Sequence, residues 1–183
     1  MVAVTEFLIA THNRGKFKEI ADLLASYGHT AQMITESMPA EGDDDLLTNA
    51  TVKAQAAHQF HPEAYVLGDD SGLFVSGHPE LFGVHTARQL PRHETNAALL
   101  AKVPAHTAVV LRSVLVLISP SNQVQSATGS LDATLADAPQ GQTGTGFDQI
   151  LIPDGEAMTL AQMPIAIRSA YLPRRRALAQ LFA

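Results

Sequence analysis

Phe7-Leu8-Ile9-Ala10-Thr11-His12-Asn13-Arg14-Gly15-Lys16-Phe17-Lys18-Glu19-Ile20 is the stretch on which the fold turns. Phe7 to Ala10 is a short apolar run that reads as a buried strand. From Lys16 to Tyr27 the period changes: Phe17, Ile20, Leu23 and Leu24 fall on one face of an amphipathic helix, and Gly28 stands where a helix stop is wanted.

Outward from there, Asp43-Asp44-Asp45 precedes a second helical segment, Leu46 to Phe60, whose positive end suits acidic residues; Pro62 closes it. Tyr65 to Gly68 reads as a short strand running into Asp69-Asp70-Ser71-Gly72-Leu73. A third helix is expected over His93 to Lys102. Two strands, Ala108 to Ile118 and Gln125 to Leu135, flank a turn at Pro120-Ser121-Asn122. Gly141 to Gly146 is a glycine-rich loop, and the chain from Ala161 onward is largely helical, broken by Pro164 and Pro173. Strands that alternate with helices and then pair predict an α/β fold with a mixed sheet.

The 183 residues favour one domain spanning 1–183, and 46% hydrophobic content is enough for a packed core. A net charge of -6 argues against broad electrostatic binding to nucleic acid or to an anionic membrane. Without cysteine there are no disulfides, thiol nucleophiles or thiolate metal sites, which suits a cytoplasmic protein. Met1 to Ala10 reads as a strand and not a signal peptide. The longest apolar run, Ala108 to Ile118, is interrupted by Arg112 and Ser113 and is too short to span a bilayer.

Four segments carry candidate chemistry. Thr11 to Lys16 joins a strand to a helix: free N–H groups at a helix start favour anions and Lys16 adds a charge, although an ordinary capped turn explains the loop as well. In Asp69-Asp70-Ser71-Gly72, adjacent carboxylates beside a core need compensation. Either magnesium supplies it or the segment is a solvated turn with Gly72 at positive φ. Glu41 stands apart from the three aspartates of the helix start and could reach a metal. Lys53 either points to phosphates or is a plain surface lysine. In Gly141 to Asp148, Phe147 offers a stacking face and Asp148 an acceptor for a base edge; a flexible hairpin tip is the alternative. The eight histidines show no zinc spacing.

In this order the segments resemble the inosine triphosphate pyrophosphatase family. Ala10-Thr11-His12-Asn13-Arg14-Gly15-Lys16-Phe17-Lys18-Glu19-Ile20 is similar to its opening A-T-x-N-x-x-K-x-x-E-[IL]. Glu41, Asn49-Ala50 and Lys53 match its E…NA..KA segment. Asp69-Asp70-Ser71-Gly72-Leu73 is its D-D-S-G-L signature, and Gly83-Val84-His85-Thr86-Ala87-Arg88 is similar to G-[VI]-Y-S-A-R.

The resemblance implies an elongated mixed sheet flanked by helices in two lobes, a central substrate cleft and a homodimer. It further implies hydrolysis of nucleoside triphosphates to a monophosphate and pyrophosphate. Thr11, Asn13, Lys16 and Lys53 would hold phosphates, with Ser71 beside the substrate. Glu41 and Asp70 would bind Mg2+, and Asp70 would activate water. At the base end Phe147, Asp148, Arg168 and Arg174 match, but Thr145 replaces an aromatic and Leu172-Pro173 replaces Ser-His. A relaxed base preference is therefore expected. The alternatives are a pyrophosphatase for another nucleotide and a catalytically weak nucleotide-binding homologue.

Overall fold

The computed structural model describes residues 4–91 and 93–183, so Met1 to Ala3 of the expected first strand lie outside the described residues. In chain order the elements are β1 (Glu6–Ala10), α1 (Arg14–Ser26), β2 (Thr30–Met33), α2 (Leu46–Phe60), β3 (Tyr65–Val75), β4 (His78–Gly83), α3 (Thr86–Gln89), α4 (Thr95–Leu100), β5 (Ala108–Ile118), β6 (Val124–Leu135), β7 (Leu151–Pro153), α5 (Ile165–Arg168) and α6 (Pro173–Leu181). The strands form one seven-stranded sheet in the order β2-β1-β3-β5-β6-β7, with β4 on the side of β3. β1 runs parallel to both β2 and β3, whereas β3–β4 and β6–β7 are antiparallel. The α/β fold with a mixed sheet expected from the sequence is the fold observed.

Local chemistry explains the principal helices. Asn13 caps α1: its Oδ1 accepts from the N–H groups of Gly15 and Lys16, and Gly28 follows the helix at φ 81°. Asp45 caps α2 through the Thr48 N–H at 2.7 Å, leaving Asp43 and Asp44 exposed as part of a solvated helix start. Pro164 and Pro173 open α5 and α6 where interruptions were expected, since a proline needs no donor at a first turn. The third helix is shorter than expected at both ends: Glu94 at φ 57°, outside helical backbone, sets its start, and it stops at Leu100. β2, β4 and β7 were not expected.

The chain divides into two compact units. The first comprises residues 1–71, 113–129 and 174–183; the second comprises 72–112 and 130–173. Each has its own core. In the first, Phe7, Ile9, Ile20, Leu24, Leu67 and Leu115 pack with Leu178. In the second, Leu73, Phe82, Leu99, Leu131, Leu135 and Ile150 pack with Leu160. Among the described residues no helix is long and apolar enough to cross a membrane.

β3 is the element that positions the acidic pair. The short strand expected to end at Gly68 continues through Asp69, Asp70, Ser71 and Gly72, which rules out the solvated turn. Gly72 is there for close approach and not for positive φ: a Cβ on it would lie 2.2 Å from the Gly83 carbonyl oxygen. Gly68 lets α2 lie against the strand, since its Cβ would sit 2.2 Å from the Ala50 carbonyl oxygen and 2.9 Å from the Ala54 Cβ. Gly68→Ala must therefore push α2 from β3. A loss of about 1–3 kcal/mol, the usual cost of overpacking, is expected in urea denaturation. Unchanged stability would show that α2 has room to move.

Candidate functional site

The pleat sends successive β3 side chains to opposite faces. Gly68 and Asp70 face α2; Asp69 and Ser71 face the other way. Asp69 and Asp70 are 1% and 3% exposed, so both charges are held out of water by protein partners.

On the α2 face, Asn49 and Lys53 lie one helical turn apart and both reach Asp70. The Asn49 side-chain amide donates to Asp70 Oδ2 at 3.0 Å, and its oxygen accepts from the Gly42 N–H at 2.8 Å. The Lys53 ammonium lies 2.8 Å from Glu41 Oε1 and 3.4 Å from Asp70 Oδ1. Lys53 is thus a buried ion-pair residue and no surface lysine. Burial pushes the Asp70 carboxyl above its ordinary value, with Lys53 and Lys16 opposing and Glu41 adding to the rise.

On the opposite face, the Lys16 ammonium lies 2.9 Å from Asp69 Oδ2 and 3.8 Å from Asp70 Oδ1, so it spans the pair. Arg174, in the first turn of α6, donates from Nε to Asp69 Oδ1 at 2.8 Å and from Nη1 to Glu19 Oε2 at 2.8 Å. Its Nη2 donates to Ser71 Oγ at 2.8 Å and to Asp69 Oδ2 at 3.4 Å. Burial alone would raise the Asp69 carboxyl; Arg174 and Lys16 overcome it and hold the group well below the usual carboxylate range.

The Thr11 to Lys16 loop differs from the expectation of free N–H groups. Two of them, on Gly15 and Lys16, are taken by Asn13 Oδ1 at 2.9 and 3.1 Å. Thr11 Oγ1 accepts from the Asn13 N–H at 3.2 Å. The positive charge that this loop turns toward Asp69 and Asp70 is the Lys16 side chain. The structure brings Lys16, Glu41, Lys53, Asp70, Ser71 and Arg174 into one network with three residues given no site role from the sequence, Asp69, Asn49 and Glu19. Asn49 had a signal, its one-turn spacing from Lys53; Glu19 had only its place in the opening motif.

The second unit holds three of the four residues matched to the base end, Phe147, Asp148 and Arg168, whereas Arg174 belongs to the first. Thr145 caps the short 3-10 helix Gly146–Gln149 in a capping box with Asp148, whose Oδ2 accepts from the Thr145 N–H at 3.0 Å. Gly144 must be glycine: it has φ 84°, and a Cβ would fall 2.1 Å from Asp148 Oδ2. Arg168 Nη1 donates to Thr143 Oγ1 at 3.0 Å, while its Nε is buried 4.0 Å from Asp148 Oδ2 with no hydrogen-bond partner. Phe147 is half-buried against this unit's core. Thr145 thus stands at the cap of the 3-10 helix.

Asp69 is lowered relative to an unfolded chain, in which aspartate titrates near about 3.9. Its stabilisation is complete above that pH and is lost as pH falls toward the lower folded value. Asp69→Asn should cost about 3–5 kcal/mol at pH 7, as for one broken partner of a buried ion pair. The gap from the natural protein should narrow below about pH 4. Denaturation curves showing a gap constant from pH 7 to pH 3 would contradict the ion-pair account.

Residues 7–183 match the model of the Ham1 family. A Limosilactobacillus reuteri protein named dihydroneopterin triphosphate diphosphatase is 36% identical, covering 96% of this chain and 95% of its own. A Rhodospirillum centenum dITP/XTP pyrophosphatase is 34% identical, covering 96% and 92%. In fold, the chain is similar to a HAM1 protein from Coxiella burnetii, with TM-score 0.79 at 24% identity, 97% of this chain and 96% of that one being covered.

Proposed function

The chain belongs to the Ham1 family, and from that premise we propose that it hydrolyses nucleoside triphosphates, non-canonical purine nucleotides among them, to a monophosphate and pyrophosphate. The observation that carries the reading is Asp70: a buried carboxylate with a raised pKa, fixed by Asn49 and flanked by Lys16 and Lys53.

Water attacks the α-phosphorus, Asp70 takes its proton, and the bond to the bridging oxygen breaks so that pyrophosphate leaves with the electron pair. Lys16 and Lys53 meet the phosphate oxygens, with Thr11 and Asn13 at the same loop and Ser71 beside them. For Lys53 this means exchanging carboxylate partners for phosphate.

The residues fit Mg2+. Glu41 and Asp70 converge on one cation, the Lys53 ammonium, and the described residues contain no cluster of three or more acidic or histidine groups suited to hold a metal. Magnesium accepts one or two carboxylates and fills its shell with water and substrate phosphate. Bound there, it would supply charge neutralisation at the phosphoryl oxygens.

Phe147, Asp148, Arg168 and Arg174 are assigned to the base by resemblance, the whole chain being read as one catalytic domain that forms a homodimer. A second reading has an observation of its own. The 36% identical L. reuteri protein is named for a pterin triphosphate, and Thr145 and Leu172-Pro173 depart from the purine-family pattern.

Pyrophosphate release measured with dITP, XTP, GTP, ATP and dihydroneopterin triphosphate tests both readings. The expected result is Mg2+-dependent turnover with weak discrimination among purines; a pterin preference would favour the second reading, and no turnover of any triphosphate would refute both. Asp70→Asn should lower kcat by about a hundredfold or more. The fold should survive, because Lys53 keeps Glu41 and Lys16 keeps Asp69. A near-normal rate would show that another group activates the water.

A further inference from the structure

The loop that carries Phe147 and Asp148 is held at its front by backbone of its own unit: the Thr143 N–H and Oγ1 both donate to the Ala161 carbonyl oxygen, at 3.3 and 2.8 Å. Farther along, Gly146 stands at φ 60°, and a Cβ on it would meet nothing within 4 Å, so neighbouring atoms do little to limit rotation there.

What fixes Gly146 comes from α4. Asn96 Nδ2 donates to the Gly146 carbonyl oxygen at 3.1 Å and to Gln149 Oε1 at 3.5 Å, the two ends of the 3-10 helix Gly146–Gln149. Gln149 carries the tie back to the start of the loop. Its Nε2 donates to the Gly141 carbonyl oxygen at 3.2 Å, and its own carbonyl accepts from the Gln140 N–H at 2.8 Å. The Gly146 oxygen can only accept, so the Asn96 amide must turn its nitrogen to it. That leaves Asn96 Oδ1 buried, with no hydrogen-bond partner among the described residues. Buried polar atoms are normally paired; this amide is paired only at the end that faces the loop.

α4 is a firm place to hold from. Leu99, one turn beyond Asn96, is fully buried in the second unit's core, with Ala98 and Leu100 packed against it. The Gly146 carbonyl shares one planar peptide with the Phe147 N–H, so fixing that oxygen fixes the plane from which Phe147 projects.

We propose that Asn96 is a positioning residue for the base: by holding the Gly146 carbonyl it sets the angle at which Phe147 is presented, and through Gln149 it keeps the two ends of the loop together. This rests on the proposed triphosphate hydrolysis, with Phe147 and Asp148 at the base end. Asn96 acts through the loop and not on the base. Without its donor, the exposed Gly146 carbonyl turns to water, so the fold is kept while the ring loses its fixed angle.

The test compares a ligand that has a base with one that has none. Calorimetry in Mg2+ buffer measures the α,β-imido analogue of ITP, which this reaction cannot cleave, and inorganic tripolyphosphate. The proteins are the natural chain, Asn96→Leu and Asn96→Ala. Leucine keeps the size of asparagine without donor or acceptor, and alanine reads the site where leucine does not pack. Either variant should weaken the ITP analogue about tenfold, the order of one base–aromatic stack. Tripolyphosphate, whose assigned residues belong to the first unit, should bind within about twofold of the natural chain, as for independent sites. In turnover, KM for ITP, GTP and ATP should rise with kcat little changed.

A spectroscopic readout needs no ligand. The chain has no tryptophan, so Phe147→Trp reports that ring alone, and its fluorescence anisotropy should fall when Asn96→Leu is added. Four outcomes overturn the proposal: no binding of the ITP analogue by the natural chain, unchanged binding in the variants, equal losses for both ligands, or unchanged anisotropy. If the natural chain binds the analogue but turns over no triphosphate, the proposed function fails while the role of Asn96 is still decided by the binding series.

Discussion

Two neighbouring carboxylates buried in a central strand are the constraint around which the first unit is organised. An unpaired charge in such a position costs several kcal/mol. The surroundings of Asp69 and Asp70 are accordingly cationic: Lys16 from α1, Lys53 from α2 and Arg174 from α6 converge on them. The carboxylates of Glu19 and Glu41 then balance Arg174 and Lys53. Four carboxylates and three cations thus meet in one cluster. The packing serves the same end: without Gly68, α2 could not lie close enough for Asn49 and Lys53 to reach Asp70.

Much of this arrangement was legible in the sequence, and the limits have physical causes. β1, α1, α2, β5 and β6 were readable because each has a period or a cap that acts over a few residues: Phe17 to Leu24, Asn13, Asp45. The path of β3 beyond Gly68 was not readable, because Asp69-Asp70-Ser71-Gly72 has turn composition and is held in a strand only by distant partners. β2 and β7 are too short for a periodic signal, at four and three residues. Pro164 and Pro173 were read as breaks because a proline that ends one segment and one that starts the next look alike in sequence.

The candidate site divides the same way. Residue types were recoverable from motifs, but partnerships were not. Arg174 lies 105 residues from Asp69 and 155 from Glu19, and no local pattern links them. Asp69 and Asp70 are chemically identical neighbours, and only the pleat decides which one meets Asn49 and which one meets Arg174. Thr145 appeared as a lost aromatic; its cap on the 3-10 helix Gly146–Gln149 became visible only with the backbone.

The residues assigned to phosphate and most of those assigned to the base thus stand on different kinds of structure. The residues assigned to the phosphates project from β3, α1 and α2, and Arg174 of α6 joins their ion pairs, so one displaced charge disturbs the whole cluster. Phe147, Asp148 and Arg168, assigned to the base, stand on the loop at 141–148 and the short helix Ile165–Arg168, segments whose backbone is held by caps and by a few bonds such as Arg168 to Thr143. Loops accept substitution more readily than packed elements. Thr145 is therefore placed where a substitution leaves the partners of Asp69 and Asp70 as they are.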